Sequence, residues 1–500
     1  MAEYLMGIDA GTGSVRVALF DFRGQNRAYA VAEYGTTYPK NGWAEQSDYE
    51  WFEALKKAIP ECIKKAGIAA DNIAAITCDA TTNTLVYLDE NDTSVRPPIL
   101  WMDVRATEEA SFIDTIREEY DATKFYKPGF RADTMVPKCM WVKKNEPENW
   151  AKTKTIMEFE DWLNWKLTGR KTVSMSVAAF RWNYDDKNGG YPVDFYNAVG
   201  LDDVVDKFPE PVLKVGEVVG NISAEAAEIF GLSKKTVVVE GTADCNACMF
   251  GVGGVRPNGM TLIGGTSTCL LGLSEEEFHV DGVNGTYPNC MYDGTSLLEG
   301  GQTAAGSILT WFKNNLLPAA WMQEAVNRNM NIYDLITEKA SAVPIGCDGL
   351  VMMDYFQGNR APYADSKARG MFWGLSIGTT PAHLARAVYE GVAYGANHCI
   401  VSMKKAGYDV KEIYACGGLA QSDFWMHADI IGVPMYTTVE SQSAGCLGDC
   451  IIAAVGVGIY PNFWEAADSM IRVDKEYIPN MEAHKEYQFY MERYMETWPQ

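Results

Sequence analysis

Two segments that lie far apart in this chain follow the same pattern of an apolar strand, a turn of glycine and threonine, and a second apolar strand. The first covers residues 5–20 with its turn at 11–14, and the second covers residues 260–273 with its turn at 264–267. Glycine in such a turn lets the backbone bend sharply and approach a ligand closely. The repeat predicts two related α/β halves with a cleft between them.

The length of the chain supports this division. A chain of 500 residues exceeds what one hydrophobic core usually serves. The glycine-rich stretch at 251–255 is the natural boundary, which predicts an N-terminal domain at 1–251 and a C-terminal domain at 252–500.

Charge and composition argue against several classes of partner. Nucleic acids and anionic membranes need a basic face, whereas the net charge is −23, and no run of about 18 apolar residues is present to span a membrane. The N-terminus has no basic segment followed by an apolar one, so we expect the 12 cysteines to be reduced. We therefore expect a cytoplasmic protein with a small-molecule partner.

Periodicity outside the repeat fits the same α/β plan. Apolar residues at helical spacing predict a helix over about 51–66, and a short apolar strand over 73–79 ends in an aspartate. A threonine followed by a proline at 380–381 predicts the start of a helix that continues past residue 392. Polar residues at strand ends are where ligands bind in open sheets.

The two glycine-threonine turns are candidate phosphate-binding sites. The chain contains no lysine-bearing P-loop pattern, but backbone N–H groups and hydroxyls in such turns can bind phosphate oxygens. The candidates are Thr12 and Gly13 in the first turn and Gly265 and Thr266 in the second. Asp9 precedes the first turn, where a carboxylate suits a polyphosphate only if Mg²⁺ lies between them. The alternative is an aspartate that stabilises the turn.

A second carboxylate, Asp244, follows the apolar strand that begins near residue 236. A carboxylate at the mouth of a buried strand can accept the proton of a hydroxyl that attacks the γ-phosphate of ATP, which makes Asp244 a candidate general base. The alternative is an ordinary aspartate after a strand. The strand near 413–416 is followed by Gly417 and Gly418, a turn against which a flat adenine ring can lie.

The most specific pattern lies at 370–375 (Gly-Met-Phe-Trp-Gly-Leu) and, seven residues later, at 383–390 (His-Leu-Ala-Arg-Ala-Val-Tyr-Glu). These segments match the C-terminal signature of the FGGY carbohydrate kinases, and the chain resembles that family from about residue 5 to residue 460. Residues 135–142 resemble the family's N-terminal signature, but Met135 and Cys139 depart from it. We interpret both departures as packing variation.

The resemblance implies an α/β fold in which two actin-like ATPase domains, each ribonuclease H-like, flank a central cleft and close over the substrate. It implies ATP as phosphate donor and Mg²⁺ as cofactor, and it leaves room for a homodimer. It assigns the catalytic base to Asp244 and the carboxylate near Mg²⁺ to Asp9. The nucleotide contacts that it implies are Thr12, Gly13, Gly265, Thr266, Gly306, Gly417, Gly418 and Ser422.

Within the family, the residues that would select the substrate are similar to those of ribulokinases. The implied sugar-binding residues are Asp79, Ala80, Thr81, Asp103, Arg181, Asp244 and Glu299. Arg181 and Glu299 can together hydrogen-bond several hydroxyls of an open-chain ketose, or they can form a salt bridge between the domains instead. Ribulokinases tend to have lysine where this chain has Arg181, whose guanidinium is larger and planar.

Three functions remain open at this point. The first is a sugar kinase for a ribulose-like ketopentose, with xylulose or a small polyol such as a pentitol, a tetritol or glycerol as the alternative substrate. The second is a sugar sensor without catalysis, and the third is an actin-like structural or chaperone ATPase. The candidate base at Asp244 argues against the sensor, and the candidate sugar-binding residues argue against the third.

Overall fold

Two sheets with helices packed around them organise the chain, in a computed structural model that describes residues 3–126, 129–279, 282–418 and 425–498. The strands of the first half are β1 Tyr4–Ala10, β2 Ser14–Asp21, β3 Asn26–Glu33, β4 Ile73–Ala80, β5 Leu85–Leu88, β6 Thr155–Glu158, β7 Val173–Ser174, β8 Val212–Leu213, β9 Val218–Asn221 and β10 Val237–Ala243. Its helices are α1 Asp48–Ala66, α2 Thr107–Ile116, α3 Met135–Asn145, α4 Pro147–Lys152, α5 Phe159–Thr168, α6 Met175–Arg181, α7 Val193–Ala198, α8 Ala224–Phe230 and α9 Asp244–Val252.

The second half continues the alternation of strands and helices. Its strands are β11 Gly259–Gly264, β12 Thr268–Ser274, β13 Asn284–Pro288, β14 Ser296–Gln302, β15 Val351–Met353, β16 Met371–Trp373, β17 Glu412–Cys416, β18 Met435–Thr438 and β19 Val473–Tyr477. Its helices are α10 Gly306–Asn315, α11 Ala319–Asn327, α12 Ile332–Ser341, α13 Pro381–Lys405, α14 Trp425–Ile431, α15 Ala444–Gly456, α16 Phe463–Met470 and α17 Met481–Glu496.

The two main sheets share one plan. The first has the order β3-β2-β1-β4-β10-β9, and the second has the order β13-β14-β12-β11-β17-β18-β19. In each, a hairpin strand pairs antiparallel with its neighbour on one side (β1 with β2, β11 with β12) and parallel with a later strand on the other side (β1 with β4, β11 with β17). This shared order confirms the predicted α/β fold of two related halves.

The helices that the sequence predicts are present. α1 begins at Asp48, three residues before the predicted start, and ends at the predicted residue Ala66. α13 begins at Pro381 after the capping residue Thr380. A methyl group added to Gly391 in α13 would lie 2.4 Å from the backbone oxygen of Met352, so this glycine permits the segment of Met352 to pack closely against the helix.

Helix α15 joins the two halves. It lies between β18 and β19 of the second sheet in sequence, but it packs against β1 and β4 of the first sheet and against α9. The contact is close because a methyl group on Gly251 would lie 1.8 Å from the backbone oxygen of Ala444, and one on Gly448 would lie 1.9 Å from that of Ala247. The proposed boundary after residue 251 stays a prediction, and α9 extends one residue beyond it.

Three buried carboxylates meet where α5 packs on β10. Glu160, Asp161 and Glu240 each place an oxygen within 4.8 Å of the other two. The Nδ2 atom of Asn164 donates to Glu160 at 2.7 Å and to Glu240 at 2.8 Å, and Thr172 donates to Glu240 at 3.0 Å. Burial raises the pKa of Glu240 to about 7 and raises the pKa values of the other two well above their ordinary range. The folded protein therefore retains protons here that the unfolded chain releases.

This cluster predicts a loss of stability as the pH rises. The unfolded Glu240 ionises near its ordinary pKa of 4.5, whereas the folded residue ionises near 7, so its contribution is complete below pH 4.5 and is lost as the pH rises through 7. Glu240→Gln keeps a neutral side chain at every pH. We expect its melting temperature to fall less than that of the wild type between pH 5 and pH 8 in a calorimetric titration.

The matched control for this titration is Glu228→Gln, which changes an exposed glutamate on α8. It should follow the wild-type pH dependence. Identical pH dependence for Glu240→Gln and the wild type would contradict the assignment of a retained proton to this cluster.

Candidate active site

The hairpin of β1 and β2 presents the first candidate carboxylate. Asp9 is the next-to-last residue of β1, and the strand register places it opposite Arg16 on β2. Asp9 is 7% exposed, and its Oδ1 atom lies 3.1 Å from Nη2 of Arg16. Burial raises the pKa of Asp9, and Arg16 opposes that effect. In the turn that follows, Gly13 is exposed and the hydroxyl of Thr12 accepts a hydrogen bond from the indole of Trp101 at 3.0 Å.

Asp79 lies beside Asp9 because β4 pairs parallel with β1 in a register that aligns the two residues. A methyl group added to Gly445, in the first turn of α15, would lie 2.9 Å from Oδ2 of Asp9 and 3.0 Å from Oδ2 of Asp79. One turn further along α15, Asp449 also interacts with Asp79. Burial raises the pKa values of Asp79 and Asp449 well above their ordinary range, and the described residues give neither oxygen of Asp79 a hydrogen-bond partner. The contact of Asp79 with a sugar stays a prediction.

Asp244 begins α9 directly after β10 ends, on the next parallel strand of the same sheet. Its Oδ1 atom accepts a hydrogen bond from the backbone N–H of Cys245 at 2.7 Å. Burial and the negative charge of Asp9 raise the pKa of Asp244 to about 6, although the Cys245 N–H and the guanidiniums of Arg16 and Arg181 act in the opposite direction. At neutral pH the carboxylate is ionised and able to accept a proton.

A cavity of about 790 Å³ lies against the turn between β11 and β12. The sequence-predicted residues Gly265, Thr266, Gly306 and Gly418 all line it. The turn is tied to the start of α10 because the backbone N–H of Gly306 donates to the oxygen of Gly265 at 3.0 Å. The rest of the lining comes from the helices α10, α12 and α13 and from β19, and includes Ser307, Thr310, Tyr333, Asp334, Thr337, Tyr389 and Lys475.

Gly417 occupies a position that only glycine suits. Its φ angle is +87°, and a methyl group there would lie 2.5 Å from the backbone oxygen of Gly264. The glycine therefore lets the end of β17 lie directly against the end of β11. Ser422, the last of the predicted nucleotide contacts, lies outside the described residues.

Arg181 and Glu299 meet across the two halves. Arg181 ends α6 and is 5% exposed, whereas Glu299 lies on β14 and is 1% exposed. Their Nη1 and Oε2 atoms are 3.1 Å apart, and Arg360 forms a second ion pair with Glu299. Burial alone would raise the pKa of Glu299, but the charges of Arg181, Arg360 and Arg131 lower it to about 2. The salt bridge between the domains, left open from the sequence, is thus present, and sugar binding by this pair stays a prediction.

The remaining candidates for sugar binding have partners within the first half. Ala80 is buried at the end of β4, and the hydroxyl of Thr81 lies 2.9 Å from that of Thr84. The carboxylate of Asp103 is fully buried and accepts hydrogen bonds from the backbone of Ala44 at 2.6 Å and from the guanidinium of Arg105 at 2.7 and 2.9 Å. Sugar binding by these three residues stays a prediction.

Comparison with known proteins decides the family. The model of the N-terminal domain of the FGGY family of carbohydrate kinases matches residues 4–251, and the model of the C-terminal domain of that family matches residues 260–457. The chain belongs to the FGGY family of carbohydrate kinases. It is therefore a phosphotransferase that acts on a hydroxyl of a carbohydrate.

One curated relative supports membership of the FGGY family, and two solved structures share the fold. The chain is 30% identical to "Ribulokinase 2" of Staphylococcus saprophyticus, over 93% of this chain and 91% of the relative. Its fold is similar to that of a xylulose kinase from Lactobacillus acidophilus (TM-score 0.86, 23% identity, 99% and 97% of the two chains covered). It is also similar to that of a glycerol kinase from Plasmodium falciparum (TM-score 0.85, 20% identity, 99% and 98% covered). Within the described part of this FGGY chain, no helix is long and apolar enough to cross a membrane.

Sequence reasoning missed three charged residues of this FGGY site: Arg16, Asp449 and Arg360. Arg16 was predictable, because a residue seven positions after Asp9 lies opposite it across a short hairpin. Asp449 could also have been selected from the sequence, because it is the single charged residue of the otherwise uncharged helix α15. Arg360 lies in a loop whose path no local pattern predicts.

The close packing of Gly445 on the carboxylates predicts the effect of a single methyl group. Gly445→Ala should displace Asp9 and Asp79, because the new methyl would lie 2.9 and 3.0 Å from their oxygens. Displacements of about 1 Å at such sites can cost about 100-fold in rate. We therefore expect kcat to fall at least about tenfold. The melting temperature should change little, because alanine favours a helix more than glycine does.

The control is Gly378→Ala, where the nearest atom to the new methyl is Oγ of Ser376 at 3.6 Å, an ordinary contact. Its kcat should match that of the wild type. A fully active Gly445→Ala protein would contradict the role assigned to this packing.

Proposed function

We propose that this FGGY kinase transfers the γ-phosphoryl group of ATP to a hydroxyl of a ribulose-like ketopentose. The observation that carries the proposal is the setting of Asp244. It begins α9 at the end of β10, and its pKa is raised to about 6. Its charge interacts with Asp9 and Arg16 of the β1–β2 hairpin and with Arg181, which pairs with Glu299. A carboxylate in that setting is suited to act between a phosphate donor and a sugar acceptor.

In the proposed reaction, Asp244 accepts the proton of the sugar hydroxyl as that oxygen attacks the γ-phosphorus. A positioned general base of this kind contributes about 10²- to 10⁴-fold to the rate. The nucleotide would occupy the cavity of about 790 Å³ lined by Gly265, Thr266, Gly306 and Gly418, where the start of α10 favours negative charge. Thr12 and Gly13 would face the phosphates from the first half.

The residues around Asp9 fit a magnesium ion. Mg²⁺ prefers hard oxygen ligands, and both carboxylate oxygens of Asp79, beside Asp9, are buried without a hydrogen-bond partner among the described residues. We propose that Asp9 holds the ion. When bound, Mg²⁺ neutralises charge on the phosphate oxygens.

Ribulose is the preferred substrate of this proposal. Support comes from the relatives that carry the name ribulokinase and from the set Asp79, Arg181 and Glu299, which would bind the sugar hydroxyls. Xylulose or a small polyol is the alternative. A sensor without catalysis is less favoured, because binding alone gives no reason for an ionised base at Asp244.

The same proposal includes the division and the location of the protein. Residues 1–251 would supply Asp9, Arg181 and the base, and residues 252–500 would supply the nucleotide cavity. We propose a cytoplasmic site of action, which agrees with a carbohydrate kinase. A homodimer stays a prediction.

An ADP-release assay with Mg·ATP tests the substrate. The panel contains ketopentoses, pentitols, tetritols and glycerol, and we expect saturable turnover with the highest kcat/KM for ribulose. A higher kcat/KM for xylulose or a polyol would identify that compound as the preferred substrate instead of ribulose. Stabilisation of the protein by a sugar without any turnover would instead identify a sensor.

Asp244→Asn tests the base. It should lower kcat by about 10²- to 10⁴-fold, because the amide cannot accept the proton, while calorimetric binding of sugar and nucleotide is kept. The control is Asp206→Asn, which changes an exposed aspartate and should leave kcat unchanged. An Asp244→Asn protein with near wild-type kcat would refute the assignment.

A further inference from the structure

We infer that Arg360 is a positioning residue that keeps the Glu299 carboxylate ionised and oriented while the contact between Arg181 and Glu299 opens to admit the sugar. The inference rests on the proposed function, because it concerns how the substrate reaches Glu299. It gives a role to a residue that neither the proton transfer nor the nucleotide cavity involves.

Glu299 is shared between two guanidiniums that belong to different halves. Arg181 reaches it from α6 of the first half, with Nη1 3.1 Å from Oε2 and Nη2 3.4 Å from Oε1. Arg360 belongs to the second half, as Glu299 does, and its Nη2 atom donates to Oε1. The carboxylate thus has one partner across the cleft and one partner within its own half.

Because Arg181 and Glu299 are buried, the contact between them has to open before a sugar can reach either side chain. Glu299 is 1% exposed and Arg181 is 5% exposed, so a sugar can contact neither while the pair is closed. Removing one partner from a buried ion pair is strongly destabilising, because it leaves an uncompensated charge. Arg360 removes that obstacle, since Glu299 still has a guanidinium partner when Arg181 has moved away.

The loop that carries Arg360 is attached to the strand that carries Glu299. Thr303 follows β14 directly, and its hydroxyl donates to the backbone oxygen of Gly358 at 2.7 Å. The Oδ1 atom of Asn359 accepts a hydrogen bond from the backbone four residues later at 2.8 Å, which closes the loop around Arg360. Arg360 and Glu299 therefore move together when the halves separate.

Both arginines also retain unused hydrogen-bonding capacity. The Nε atoms of Arg181 and Arg360 are buried and have no hydrogen-bond partner in the described part of the chain. A planar guanidinium can hold a carboxylate through its Nη atoms while its Nε–H remains available to a further oxygen. A sugar hydroxyl between the two arginines would supply such an oxygen.

A double-mutant cycle on sugar KM tests the inference. Arg360→Met should raise the sugar KM at least about tenfold and leave the ATP KM within about twofold, whereas Arg360→Lys should restore part of the affinity because it restores the charge. In a Glu299→Gln background, Arg360→Met should have little further effect. A similar rise of KM in that background would overturn the inference, because the loop would then act independently of Glu299.

A second cycle works without catalysis. In an Arg181→Met background, which imitates the opened contact, Arg360→Met and Glu299→Gln should still be coupled, so that the double change lowers the melting temperature by less than the sum of the single changes. Additive effects there would overturn the inference. If the coupling is found but the wild-type protein turns over no sugar of the panel, the proposed function is refuted, whereas the pairing of Arg360 with Glu299 is retained.

Discussion

The parallel strands β1, β4 and β10 bring the three buried aspartates of the candidate site together, because they end at one edge of the first sheet. Asp9 and Asp79 are the next-to-last residues of β1 and β4, and Asp244 directly follows β10. Helix α15 covers two of them and removes water, so that desolvation dominates their ionisation. Such a concentration of buried carboxylates is unfavourable for folding alone, and local conflicts of this kind are expected at functional sites.

The two halves use one strand order for different purposes. The hairpin turn of the first half follows Asp9, whereas the equivalent turn of the second half follows Ile263 and offers no carboxylate. The second turn instead borders the large cavity, together with Gly306 and Gly418. The halves meet at α15, which packs on α9, and at the pair of Arg181 and Glu299, so their contact is close to the proposed reaction centre.

Local pattern was sufficient for the fold and for the residues at strand ends. The repeated hairpin predicted both halves, and the position of polar residues at the ends of apolar strands identified Asp9 and Asp244. Local pattern was not sufficient where distant segments meet. The position of Asp449 beside Asp79 depends on how α15 packs, and the pairing of Arg360 with Glu299 depends on the path of a long loop. The pairing of Asp103 with Arg105 was likewise not expected from the sequence, and a sugar contact of Asp103 stays a prediction.

The pH dependence of kcat/KM for the preferred sugar, measured at saturating Mg·ATP, is the most direct test of whether Asp244 is the general base. This quantity reports ionisations of the nucleotide-bound enzyme before the sugar binds, and the pKa of Asp244 is raised to about 6. If Asp244 is the base, kcat/KM should be constant above pH 7 and should fall tenfold per pH unit below about pH 6, as the carboxylate becomes protonated. A rate that stays constant down to pH 5 would contradict it.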